Sequence, residues 1–192
     1  MLPCMAEFIK SVFNLADMPD SERPHVALVG RSNVGKSSLV NALGAQPGLA
    51  RVSSEPGRTR TLNFYELDRT YFLVDLPGYG FARGRQGKRE LFTKLITDYL
   101  QETKFLKLVF VVIDSRIGPT ALDKNMLSFL TAAKIPFAII ASKIDKLSSS
   151  ETAAIKRILV KDYPDTQIFF HSTKESKGRG EIRRAIALAI RT

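Results

Sequence analysis

A chain of 192 residues, 44% of them hydrophobic, is long enough for one domain with a full core and too apolar to be disordered. Its 29 Lys and Arg against 19 Asp and Glu give a formal charge of +10, which favours an anionic partner, nucleic acid first. Cys4 is the single cysteine, so no intrachain disulfide forms, and the longest apolar run, Leu108 to Ile113, is far too short to cross a bilayer. The N-terminus does not read as a signal peptide, so a cytoplasmic setting is expected.

Residues 1–24 read as an N-terminal extension ahead of one domain spanning 25–192. Phe8 to Phe13 suits an edge strand or a short helix, since so short a run has no decisive period. Asp17 to Pro24 has the composition of a loop. His25 to Val29 is a buried strand by its continuous apolar character. It runs into Gly30-Arg31-Ser32-Asn33-Val34-Gly35-Lys36-Ser37-Ser38, and Lys36 to Leu43 follows as a helix ended by Gly44. Strand, glycine loop and helix N-terminus together make an anion site, because unpaired N–H groups and the helix dipole face the ligand. The pattern G-x-x-x-x-G-K-S is the phosphate-binding loop of nucleotide-using proteins. Lys36 charges the outer phosphates and the Ser37 hydroxyl suits Mg²⁺.

Between Gly44 and Leu62 the sequence is rich in glycine, proline and small polar residues. Gly57, Arg58, Thr59, Arg60 and Thr61 are expected on a mobile loop, with either threonine able to offer Mg²⁺ a second hydroxyl. Leu62 to Leu67 and Tyr71 to Asp75 form a hairpin. Asp75 then ends a buried strand, where a carboxylate can hold Mg²⁺ through water, and Asp75-Leu76-Pro77-Gly78 brings the Gly78 N–H towards a terminal phosphate. Tyr79 to Lys88 is a second glycine-rich, basic loop. A helix with Leu91, Phe92, Leu95, Ile96 and Tyr99 inward follows it.

Leu108 to Ile113, ending in Asp114, is a central parallel strand by composition. Thr120 to Ala133 is a helix with Leu122, Met126, Leu127 and Leu130 inward. Phe137 to Ala141 is the next strand, and Ser148 with Glu151 forms a capping box for another helix. Gln167 to His171 is the last strand. Gly180 to Arg191 closes the chain as a helix with Ile182, Ala185, Ile186 and Leu188 on its apolar side. Such alternation predicts an α/β fold: a mostly parallel six-stranded sheet with one antiparallel edge strand and helices on both faces. Ligands on such sheets sit beyond the strands' carboxyl ends, where the phosphate loop, Asp75, Asp145 and Ser172 all fall.

Ser142-Lys143-Ile144-Asp145 chooses the base. Guanine presents N1–H and N2–H₂ side by side, and one carboxylate, Asp145, accepts both. Adenine has no such pair, and stranded polar groups cost about 10⁴-fold in affinity. Lys143 can lie along the base plane, and Ser172 and Thr173 can offer N–H groups to the guanine oxygen.

These motifs resemble the five guanine-nucleotide motifs of translation-factor-class GTPases. Gly-Arg-Ser-Asn-Val-Gly-Lys-Ser-Ser, Pro-Gly-Arg-Thr-Arg-Thr-Leu-Asn-Phe and Asp-Leu-Pro-Gly-Tyr-Gly-Phe-Ala narrow the resemblance to the EngB (YihA/YsxC) family, among the TrmE-Era-EngA-EngB-septin-like P-loop GTPases. The resemblance runs from about Phe8 to the last helix. It implies a Ras-like domain that binds GTP and GDP with Mg²⁺, Ser37 and Thr59 being the hydroxyl ligands. It implies GTP hydrolysis with Lys36, Asn33 and Gly78 around the transferred phosphate, K⁺ being a candidate at Asn33. The implied partner is the large ribosomal subunit, met through rRNA and ribosomal proteins during late assembly, with a part in cell division and septation. A monomer without stable membrane association is expected. His171-Ser172-Thr173 stands where the fifth motif belongs but departs from its usual residues, as does Ser142 from the usual threonine or asparagine. Tyr79 stands where Ras has its water-orienting glutamine, so slow unassisted hydrolysis is expected. Alternatives are a membrane-recruited septation GTPase that does not act on ribosomes, and an ATP-using P-loop small-molecule kinase.

Overall fold

Every residue of His25–Gly30 (β2) is buried. A strand covered on both faces needs apolar residues at consecutive positions, which is why this stretch does not alternate. Its side chains still divide by parity: Val26 and Leu28 enter one core, Ala27 and Val29 the other. The computed structural model describes residues 5–51, 61–80, 86–172, 174 and 177–191. Around β2 are the strands Ala6–Val12 (β1), Leu62–Leu67 (β3), Tyr71–Asp75 (β4), Leu106–Asp114 (β5), Phe137–Ser142 (β6) and Ile168–Phe170 (β7). The sheet order is β1-β3-β4-β2-β5-β6-β7. The helices are Lys36–Leu43 (α1), Gln86–Glu102 (α2), Ala121–Ala132 (α3), Ser149–Asp162 (α4) and Arg179–Ala189 (α5).

Leu39, Val40 and Leu43 of α1 share one core with Ile182, Ala185 and Ile186 of α5. Ile96, Tyr99 and Leu100 of α2 share the other with Leu127 and Leu130 of α3. Ile155 and Leu159 of α4 pack on Ala141. The predicted capping box of Ser148 and Glu151 forms at α4, and a second, which the sequence reading did not name, joins Thr120 and Asp123 at α3.

The α/β class holds, with two changes of detail. The sheet has seven strands rather than six, because the undecided run near Phe8 is an edge strand, paired antiparallel to β3 from Ala6↔Leu67 to Val12↔Leu62. β3 is the one strand that runs against the rest, and it lies second from the edge rather than at it. Residues 6–12 of the predicted extension therefore belong to the same sheet. Leu91 and Leu188, predicted inward, are 68% exposed each. Leu188 falls two residues past Ile186, on the opposite side of α5. Leu91 lies five residues before Ile96, well off the face that Ile96, Tyr99 and Leu100 bury. No described helix is long and apolar enough to cross a membrane.

Candidate nucleotide-binding site

Because β2, β4, β5, β6 and β7 run parallel, their carboxyl ends share one edge of the sheet. There the phosphate loop leaves β2 while Asp75, Asp114 and Ser142 close β4, β5 and β6. Gly35 caps α1 at φ 106°, where an L side chain is strained, and no side chain caps the helix N-terminus. The first N–H groups of α1 are thus left for a ligand. Lys36 is buried and donates to the Gly30 carbonyl at 3.2 Å. Burial pushes its amine down, and the charge of Asp75 opposes this. Gly78 is required by space: a Cβ there would come within 2.8 Å of Ser32 Cα and N.

Ser37 donates to Asp75 Oδ2 at 3.1 Å. The other oxygen, Oδ1, is buried without a hydrogen-bond partner. Burial pushes the Asp75 carboxyl up, while Lys36 and the Ser37 hydrogen bond pull it down. A hydroxyl beside a buried carboxylate with an unused oxygen fits a hard divalent cation. Among the described residues no group of three or more His, Cys, Asp or Glu gathers. Thr61, the alternative threonine, donates to Asn63 Oδ1 at 2.8 Å, an oxygen that also accepts from Ser11 at 2.6 Å. Its hydroxyl serves the β1–β3 surface. Gly57, Arg58, Thr59 and Arg60 lie outside the described residues.

At the base end, Ser142 has its hydroxyl 2.6 Å from the Val34 carbonyl, and so replaces the longer side chain expected there while still tying β6 to the phosphate loop. Lys143 sits at φ 61° and donates from Nζ to the Asn33 carbonyl at 2.5 Å and to Asp114 Oδ2 at 2.9 Å. Burial pushes the Asp114 carboxyl up, but hydrogen bonds from Arg116 and Lys143 outweigh it and hold it at about 2. Arg116 binds it through Nε at 2.9 Å and Nη2 at 2.7 Å. Ile144 is buried beneath this turn. Asp145 accepts the Ser172 hydroxyl on Oδ1 at 2.9 Å, and its Oδ2 is 3.9 Å from Lys146 Nζ.

In the fifth motif the N–H of Ser172 donates to the Lys177 carbonyl at 3.3 Å, closing a loop, and its hydroxyl donates to Asp145. His171 Nδ1 donates to the same Lys177 carbonyl at 2.9 Å, and burial pushes its imidazole down. Thr173 lies outside the described residues. Tyr79 turns its hydroxyl to Asp123 Oδ1 at 2.8 Å. Sequence reasoning missed Asp114, although its position at the carboxyl end of a buried strand is the signal that marked Asp75. It also missed Asp123, which nothing local distinguishes from a capping residue.

Residues 25–143 match the family described as 50S ribosome-binding GTPase. The chain is 43% identical over 185 residues to the probable GTP-binding protein EngB of Pelotomaculum thermopropionicum, covering 94% of this chain and 93% of that one. It is 40% identical over 182 residues to the same-named protein of Chlorobaculum tepidum, with 94% and 95% covered. Among solved structures, a probable GTP-binding protein engB aligns with TM-score 0.69 and 22% identity, over 87% of this chain and 98% of that one. Aquifex aeolicus Era bound to GDP and AlF₄⁻ aligns with TM-score 0.73 and 22% identity, over 86% and 56%. At such identity the two structures speak to the fold.

Proposed function

We infer the function from one premise: the chain belongs to the EngB family of P-loop GTP-binding proteins. Its general activity is that of a GTPase, turning GTP and water into GDP and phosphate. In our reading the N–H groups from Gly35 to Ser38 and the buried Lys36 receive the phosphates, and the Gly78 N–H meets the terminal one. Asp145 accepts the two guanine donors, with Ser172 fixing one of its oxygens. Ser37 and Thr59 would ligate Mg²⁺ and Asp75 would hold it through water. The ion supplies charge neutralisation between the phosphates. Asn33 would hold K⁺ if the chain uses one. With Tyr79 turned away to Asp123, no side chain of this segment orients the attacking water. The unassisted rate is then expected on the order of that of Ras, about 10⁻⁴ s⁻¹.

We further propose that the chain is a GTP-gated switch in late assembly of the large ribosomal subunit, and that its part in cell division and septation follows from that work. The observation that carries this is the match to a family described by 50S ribosome binding, together with a charge of +10. Arg58, Arg60, Arg83 and Arg85 fall in the segments that would respond to the γ-phosphate, and Lys88 and Arg89 lie in the first turn of α2, which begins at Gln86 rather than after Lys88 as expected, so GTP would order cations that face RNA. Co-sedimentation with purified large subunits, using a non-hydrolysable GTP analogue and GDP at low and moderate salt, tests it. Retention with the analogue alone, persisting at moderate salt, is expected. Equal pelleting in both states that vanishes with salt would reduce the interaction to non-specific charge.

A further inference from the structure

We propose that Tyr79 is a positioning residue for GTP hydrolysis: its hydrogen bond to Asp123 anchors the Gly78–Tyr79 peptide on α3 and so holds the Gly78 N–H at the phosphate loop. The proposal rests on the GTPase reading above.

Tyr79 is held at both ends. Its backbone lies on the phosphate loop, the N–H donating to the Gly30 carbonyl at 3.3 Å and the carbonyl accepting from Ser32 N–H at 3.2 Å. The Ser32 hydroxyl reaches the Gly78 carbonyl at 3.4 Å, and a Cβ on Gly78 would strike the Ser32 backbone. These backbone contacts are long and weak by hydrogen-bond standards. The phenol makes the short contact, 2.8 Å to Asp123 Oδ1. Its ring packs against the core beneath α2 and α3. Asp123 is itself immobile: it is 1% exposed, and its Oδ2 accepts from Thr120 N–H at 2.9 Å and Thr120 Oγ1 at 2.7 Å. Burial, and then the Asp123 charge, push the phenol up, so it stays protonated and donating. Gly80, at φ 82°, continues the same docking, since a Cβ there would come within 2.7 Å of Leu122 Cδ1. Removing the phenol strands Asp123 Oδ1 as a buried acceptor and leaves the peptide on its weak backbone bonds. Pre-organisation of the Gly78 N–H, rather than nucleotide binding, is what would be lost.

The test is single-turnover GTP hydrolysis and GDP affinity for wild type, Tyr79→Phe, Asp123→Ala and the double variant. Tyr79→Phe keeps the ring and its packing. The expected result is a rate about tenfold lower in Tyr79→Phe with GDP affinity within twofold of wild type, and a double variant no slower than Asp123→Ala alone. An unchanged rate, a GDP affinity that falls in step with the rate, or additive effects in the double variant would overturn the proposal. If wild type hydrolyses GTP and Tyr79→Phe matches it, only the anchor falls. If wild type hydrolyses none, the GTPase reading falls and takes the anchor with it.

Discussion

Ser172 donates its hydroxyl to Asp145 Oδ1 at 2.9 Å, across 27 residues of sequence. A residue two positions past β7 thereby fixes one oxygen of a carboxylate three positions past β6. Replacing Ser172 with alanine should lower GDP affinity about tenfold, the weight of one hydrogen bond to a charged group. Asp145→Asn should do more. Its amide N–H₂ would face the guanine donors, costing about 10³-fold or more, and would favour a base with a carbonyl at that position. Competition between GDP and xanthosine diphosphate checks this, and an unaltered GDP preference in Asp145→Asn would remove Asp145 as the reader of the base.

Asp75 carries a buried oxygen with no partner, beside the Ser37 hydroxyl. Ser37→Ala and Asp75→Asn should each weaken Mg²⁺-dependent GDP binding about 10–100-fold, the usual effect of removing a ligand or its support. Titrating GDP with Mg²⁺ and with chelator separates the two components. Variants that bind as wild type does without Mg²⁺, but no tighter with it, are the expected outcome.

Lys143 is held by Asp114, so Asp114→Asn should loosen both the base site and the Asn33 carbonyl that Lys143 grips. The folded carboxyl titrates at about 2 against 3.8 unfolded, so its contribution is complete above 3.8 and disappears as the pH falls through 2. The shift corresponds to about 2 kcal/mol. Melting curves from pH 5 to pH 2 should fall less steeply for Asp114→Asn than for wild type.

His25 sits in an aromatic cluster with Phe64, Phe72, Tyr99 and Phe105, its Nδ1 3.1 Å from the Tyr99 hydroxyl and its Nε2 without a partner. Burial pushes its pKa from 6.5 to about 4. The folded state binds this proton less well than the unfolded state. Stability is therefore complete above pH 6.5 and declines towards pH 4, by about 3 kcal/mol at most. His171 is displaced in the same direction. A His25→Gln variant should melt lower at pH 7.5 yet lose less on acidification to pH 4.5.

Asn33 has a left-handed backbone, φ 64°, within the phosphate loop. If K⁺ binds beside it, exchanging K⁺ for Na⁺ should slow hydrolysis by about tenfold in wild type, the order expected for losing one stabilising charge contact. Asn33→Ala should be indifferent to the exchange. Equal rates of the wild type in both salts would dismiss K⁺.

What was legible in the sequence was what is local. Gly30 to Ser38 announces itself because one short segment must supply glycine, lysine and serine at fixed spacing, and Asp75 and Asp145 follow from strands whose apolar runs are unmistakable. Where the deciding partner is remote, the reading ran out. Nothing near Phe8 fixes a strand; pairing with Leu62–Leu67 does. Nothing near Ser172 announces that its hydroxyl meets Asp145, 27 residues earlier in the chain. Tyr79 was seen only as a missing glutamine, because Asp123 lies 44 residues away.

The placement of β3 has a consequence for the order in which the chain can fold. As the chain is synthesised, β1 emerges first, but its partner residues Leu62 to Leu67 are made tens of residues later. Until then its exposed Phe8 and Ile9 have no strand beside them, and closing so long a loop is entropically slow. β1 and β3 are nevertheless the first partners to be complete, at Leu67, ahead of β4 at Asp75 and β5 at Asp114, so the sheet can begin to pair at this edge before the central β2 has either neighbour.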